Sequence, residues 1–354
     1  EYDEFDRLTK VINALNEETS YTYDLNGNML TQTDGREHTT TYEYNVADLL
    51  IKRCDHGGRT GTEGNYTYMP EKTVSYEYHA DGSLKEMVDR KGITSTYAYD
   101  VHGRLEEETA GNIEISYTYD ENGNQLTITD DTGTTTRVYD ELGRVISKTV
   151  PNIGTTTFDY DIIYDENEGY VAEVSTDPKG NETTKVYDRA GRLKFVIDED
   201  DKTEYTYYLD GRRESLEYPD GSRQEYEYYD SGLLHVLTNK KADGSIMDTY
   251  TYVYDAAGNQ LEKVEYINGV NKGKTSYTYD DLNRLETVTE PNGRSTEYTY
   301  DASGNRETEE IKYNGETTVN IYENNEQNRL EKVTTRVDGS VTETTVYTYD
   351  DNGN

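Results

Sequence analysis

One short string governs what this chain can become. Tyr-x-Tyr-Asp-x-x-Gly-(Arg/Asn) returns along all of its 354 residues. The clear copies are Tyr21, Tyr23, Asp24, Gly27; Tyr97, Tyr99, Asp100, Gly103, Arg104; and Tyr117, Tyr119, Asp120, Gly123. Further on come Tyr252, Tyr254, Asp255, Gly258; Tyr277, Tyr279, Asp280, with Asn283 in the glycine's place; and Tyr298, Tyr300, Asp301, Gly304. Looser copies start at Tyr42, Tyr76, Val138, Val186, Tyr205 and Tyr226, worn ones surround Tyr2, Tyr164 and Tyr322, and a last one opens at Tyr347. The tyrosine before each turn recurs at a mean spacing of about 23 residues, the mark of one supersecondary unit repeated. No break in composition interrupts it. The expectation is a single array over 1–354 of about 16 hairpins, cut within a repeat at both ends, with an irregular insert near 55–71.

Each unit reads as a β-hairpin. Tyr-Thr-Tyr and Tyr-Glu-Tyr alternate with period two and carry high strand propensity. Asp-x-x-Gly fits a type I turn closed by a left-handed glycine, in which Asp accepts backbone N–H groups. A three-residue loop would set Tyr99 opposite Leu105 and Asp100 opposite Arg104. A second set of turns falls between the anchors, at Asp177–Asn181, Pro219–Gly221, Asp243–Gly244, Pro291–Gly293 and Asp338–Gly339.

Composition then limits the architecture. Leu, Ile, Val and Phe total 60 residues, about 17%, while tyrosine alone supplies 37 and tryptophan none. About 32 strands at about 4.8 Å would make one sheet about 150 Å wide, and open sheets beyond about ten strands curl or split. Splitting into sandwiches needs dry aliphatic faces that this chain lacks. The fold class expected is therefore all-β: tandem hairpins in one long antiparallel sheet that coils as a spiral or hollow shell. Adjacent hairpins would stack tyrosine on tyrosine, each unit held mainly by its neighbours.

At these residues the sequence resembles the YD repeat, also called the RHS repeat, found in Rhs polymorphic toxins, Gram-positive wall-associated proteins, Tc toxin complexes and teneurins. The resemblance runs over nearly the whole chain. It implies a spiralling β-shell that in bacterial members encloses a C-terminal toxin, and in teneurins serves adhesion. The family's closing autoproteolytic Asp-Pro-Leu-Gly-Leu motif is not in this sequence; Asp177-Pro178-Lys179-Gly180-Asn181 lacks both leucines and reads as a turn. Self-cleavage is not carried over.

Catalytic and metal chemistry find little support. Asp120-Glu121-Asn122-Gly123-Asn124 has its glycine fourth, between strands, which is a hairpin turn and not an EF-hand loop. Asp198-Glu199-Asp200-Asp201 and the acids from Asp159 to Glu168 read as solvated turns, with weak surface Ca²⁺ binding the lesser reading. Cys54-Asp55-His56 lacks the spatial convergence of a catalytic triad and reads as irregular loop. With 72 acids, some glycosidase-like carboxylate pair arises by chance. A formal charge of -37 argues against nucleic acid, and no apolar run is long enough to span a membrane. An acidic lumen would suit a cationic polypeptide cargo.

The expected role is non-enzymatic, without cofactor or metal: a shell segment of a larger secreted or surface-displayed bacterial protein, partnered by its remaining repeats and a C-terminal effector. The alternative is a surface adhesin or spacer that meets a receptor or wall carbohydrate.

Overall fold

The structure is a computed structural model that describes residues 1–55 and 72–354, together with the backbone of 59–62 and 65–68. It contains strands and turns, and no helix among the described residues. Among the described residues thirty strands belong to one antiparallel sheet, and Arg59–Thr62 pairs separately with Asn65–Tyr68. The insert expected near 55–71 otherwise lies outside the described residues. By contacts the chain forms two compact units, one of residues 1–112 with 276–354 and one of residues 113–275.

The turn chemistry explains the hairpins. The Asp100 N–H donates to the Arg104 carbonyl (2.9 Å), and the Gly103 N–H donates to the Asp100 carbonyl (3.0 Å). Gly103 sits at φ 77°, left-handed backbone that a β-carbon disfavours. The extra residue is absorbed as a bulge between Ala98 and Tyr99, which leaves Tyr99 opposite Leu105. Asn283 (φ 60°) and Asn328 (φ 57°) stand in the glycine's place, because asparagine tolerates this region best after glycine. Gly103→Asn is therefore expected to cost under about 1 kcal/mol, and Gly103→Val more, as a β-branched residue there is strained. Thermal denaturation of the two variants checks the order.

The sheet has two unlike faces. Thr22, Glu43, Thr118, Glu227 and Thr299, each between two tyrosines, are exposed, whereas the flanking tyrosines are half-buried on the opposite face. The exposed face is laced by cross-strand hydroxyl pairs, among them Thr22–Thr31 (2.6 Å), Thr118–Thr127 (2.6 Å), Thr149–Thr155 (2.8 Å) and Thr299–Thr308 (2.7 Å). Each such pair is worth about 0.2–1 kcal/mol.

Little of either unit is dry. In residues 113–275 a small cluster of Ala172, Val186 and Phe195 packs with Tyr170 and Ile197. In the other unit Cys54 is the buried apolar residue among those described.

Two expectations need correction. Cys54 and Asp55 are not loop: both lie in the strand Leu50–Asp55, opposite Thr73 and Lys72, and His56 lies outside the described residues. Strand pairing satisfies their backbone groups, which a loop could not do at such burial. Nor is tyrosine on tyrosine the whole of the ring packing. Tyr208–Tyr228 and Tyr229–Tyr254 meet edge to face at 6.2 Å, but among the described residues guanidinium groups also cover the rings, as at Tyr160, Tyr207 and Tyr300. An arginine both covers a ring and pairs with a carboxylate, which suits a chain so rich in acid.

Candidate functional site

The feature that recurs with function-like regularity is the joint between consecutive hairpins. It starts at the turn aspartate. Asp188 Oδ1 accepts the N–H groups of Ala190 and Arg192 (both 2.9 Å), and Oδ2 accepts Arg192 Nε (2.8 Å). Thus fixed, the Arg192 guanidinium lies over the ring of Tyr207 in the next hairpin, 4.9 Å from its centroid. The Tyr207 hydroxyl in turn donates back to the Leu193 carbonyl (2.7 Å), just past the first turn. Turn, arginine and tyrosine close a loop of contacts from one hairpin to the next.

The same geometry repeats. Arg7 covers Tyr23, whose hydroxyl donates to Leu8. Arg144 covers Tyr160, which donates to Val145, and Arg284 covers Tyr300, which donates to Leu285. Asn replaces Arg after Asp24, Asp120, Asp255 and Asp301, where its Nδ2 reaches the same carboxylate. Tyr207→Phe removes one hydroxyl and should cost about 0.5–1.5 kcal/mol in a denaturant titration.

The carboxyl groups respond to these donors. The backbone N–H of Arg104 is the first cause holding the Asp100 carboxyl down to about 2, well under its ordinary range. The Asn28 and Asn124 amides lead for Asp24 and Asp120, and the Asn259 amide for Asp255. At Asp280 burial pushes upward, and the Arg284 contacts outweigh it.

Of the motif residues read from the sequence, Asp24, Asp100, Asp120, Asp255, Asp280 and Asp301 all close turns, and Gly27, Gly103, Gly123, Gly258 and Gly304 all have positive φ. Tyr21, Tyr97, Tyr117, Tyr252, Tyr277 and Tyr298 lie two residues before the anchors, in the outgoing strands; Arg306 covers Tyr298 at 4.5 Å. Tyr99, Tyr119, Tyr254 and Tyr279 occupy the anchor positions opposite Leu105, Gln125, Gln260 and Leu285. Sequence periodicity missed Tyr160. It marks Tyr164 as the anchor, but bulges in the long strand Gly154–Asp165 shift the hydroxyl contact to Tyr160 and leave Tyr164 exposed.

Sequence also gave no sign of a seam inside the unit formed by 1–112 and 276–354. There, turns meet turns between 263 and 294 residues away. Arg36 donates to the carbonyls of Asn324 (3.1 Å) and Asn325 (3.2 Å) and lies 3.7 Å from Asp301. Asp34 accepts the Ser303 hydroxyl (3.0 Å), and His38 Nε2 lies 2.5 Å from Glu326 Oε2. Farther along, Lys91 pairs with Asp350 (2.5 Å), Asn352 donates to Asp89 (2.6 Å), and Lys72 pairs with Asp351.

Two family models match this chain: the teneurin YD-shell over residues 1–134 and 63–173, and the RHS repeat over 254–294 and 279–317. The chain is a YD-repeat protein. Among relatives of this YD-repeat chain is double-stranded DNA deaminase toxin A of Burkholderia cenocepacia (strain H111), 30% identical over 148 residues, which are 41% of the chain and 9% of that toxin. Among solved structures, the TcdB2–TccC3 crystal structure covers 99% of the YD-repeat chain at 16% identity with a TM-score of 0.46. A Photorhabdus luminescens Tc holotoxin pore also covers 99%, at 16% identity and a TM-score of 0.42. The chain spans 26% and 22% of those two proteins. Both matched family models describe repeat and shell regions, which are structural.

Proposed function

We propose that this chain is a length of shell wall within a longer bacterial polypeptide, secreted or displayed at the surface, that encloses and carries a C-terminal effector. It works mechanically and has no catalytic role. The observation that carries the reading is the seam: turns that fasten to turns up to 294 residues away make a wall hold to itself without a dry core. The likeness to a toxin whose remaining length lies outside the match is consistent with an effector carried on the same polypeptide.

The test is protection. The polypeptide bearing this array is expressed with its natural downstream sequence, and again with the array deleted, and both are digested with a broad-specificity protease. The reading expects the downstream segment to survive only when the array is present. Equal cleavage in both would contradict it.

A further inference from the structure

Arginine four residues after the turn aspartate has a fixed employment in this chain. Arg7, Arg104, Arg144 and Arg284 each lie 2.7 Å from their own Asp3, Asp100, Asp140 and Asp280, and Arg192 lies 2.8 Å from Asp188. The turn at 325–329 breaks this pattern. Its first residue is Asn325, which accepts the same two backbone N–H groups, from Gln327 (3.0 Å) and Arg329 (3.1 Å), but brings no charge. Arg329 makes no ion pair among the described residues; its guanidinium lies against Gly353 and 5.9 Å from the Tyr349 ring centroid. In a chain with 72 acidic and 35 basic side chains, a half-buried arginine without a carboxylate calls for an explanation.

Arg329 lines a cavity of about 390 Å³ together with Arg53 and Arg90, and a neighbouring one of about 290 Å³ with Arg90 again. Arg53 and Arg90 share a single buried carboxylate, Asp55. Arg90 Nε is buried without a hydrogen-bond partner. Burial first, then the nearness of Arg53 and Arg329, pushes the Arg90 guanidinium below its ordinary value, as unrelieved like charge would. The other two acids on the wall of the larger cavity have partners, Asp34 in Ser303 and the N–H groups of Arg36 and His38, and Glu326 in His38. On the smaller one Asp350 pairs with Lys91 and Asp351 with Lys72, and Glu331 also lines it. Arg53 and Arg90 thus share one carboxylate, while Arg329, on the same cavity wall, makes no ion pair among the described residues.

We propose that this pocket binds a phosphate-type oxyanion, which takes the place of the aspartate missing at Asn325 and bridges Arg329 to Arg53 and Arg90. The guanidinium fork suits an oxyanion with two or more oxygens, which can accept both from Arg329 and from the unpartnered Arg90 Nε. Because Arg329 belongs to the 276–354 stretch and the other two to 1–112, the bound anion pins the two stretches of this unit together. The ligand is then a structural staple of the wall.

The experiment is calorimetric titration and thermal denaturation of the full chain with inorganic phosphate, and separately with glycerol phosphate, against sodium chloride at matched ionic strength. A saturable signal and a raised melting temperature with phosphate, beyond the chloride effect, are expected. If the ester binds more tightly than the free ion, the pocket serves a phosphate-bearing metabolite; if more weakly, phosphate itself. Asn325→Asp restores the turn's own carboxylate and is expected to weaken phosphate binding about tenfold or more while the fold is kept. Arg329→Gln should do the same, and Arg104→Gln, outside the pocket, should not. No saturable phosphate binding, or binding that Asn325→Asp and Arg329→Gln leave unchanged, would overturn the proposal.

Discussion

Acidification from pH 5 to pH 2 is expected to unfold the sheet almost completely. Among the described residues seventeen aspartates, nearly all at the hairpin turns, have carboxyl groups held below their ordinary value by neighbouring donors. In the unfolded chain the same groups titrate near 3.9. A carboxyl whose value is lower in the folded state contributes stability that is fully present above about 3.9 and disappears as the pH falls through the folded value, which is about 2 at Asp100. Many small contributions of one sign, each at a joint shared by two hairpins, vanish in the same window. Above that window the effect runs the other way, because partial neutralisation of a charge of -37 relieves self-repulsion between pH 7 and pH 5. Thermal melts followed by circular dichroism across this range should show a broad optimum near pH 5 and a steep fall below pH 4. A melting temperature that holds steady to pH 2 would mean that the turn carboxylates contribute little.

Gly35→Ala is expected to open the seam. Most glycines of this chain serve left-handed backbone, but in the 34–38 turn that conformation falls to Glu37, at φ 65°. Gly35 meets a different demand: a β-carbon built there would collide with the main-chain carbonyl oxygen of Ala302. A backbone atom cannot swing aside as a side-chain tip can, so the two turns must separate. Overpacking of this kind costs about 1–3 kcal/mol. It also pulls Arg36 from the Asn324 and Asn325 carbonyls and Asp34 from Ser303. Hydrogen exchange should accelerate at 34–38 and at 301–328 together, with the strands of residues 113–275 unaffected. Unchanged exchange in both stretches would contradict the seam.

The hairpin was readable from the sequence because it is local. Asp100, Gly103 and Arg104 lie within five residues, and each has one physical reason to be where it is. The pairing of Tyr99 with Leu105 followed from loop length alone. The face taken by the tyrosines was not readable, since alternation fixes that they share a face but not which one is covered. The hydroxyl contact from Tyr207 to Leu193 was hidden because any residue has a carbonyl, and sequence carries no mark for one that accepts. Tyr160 was hidden by bulges, which move an anchor by an irregular count. The seam was beyond reach for the same reason that Gly35 looked like one more turn glycine: its partner is 267 residues away, and only the folded chain brings them together.

The central claim is that neighbouring hairpins are held by polar joints and half-covered rings, with almost no dry interior. Scanning calorimetry tests it most directly through the heat capacity of unfolding, which rises with apolar surface exposed and falls with polar surface exposed. An ordinary globular chain of 354 residues would show about 4–5 kcal/mol/K. The account predicts a value clearly below that range at pH 7. A value within it would show that this sheet buries apolar surface as a conventional core does, and the joints described here would then be decoration on a hydrophobic fold.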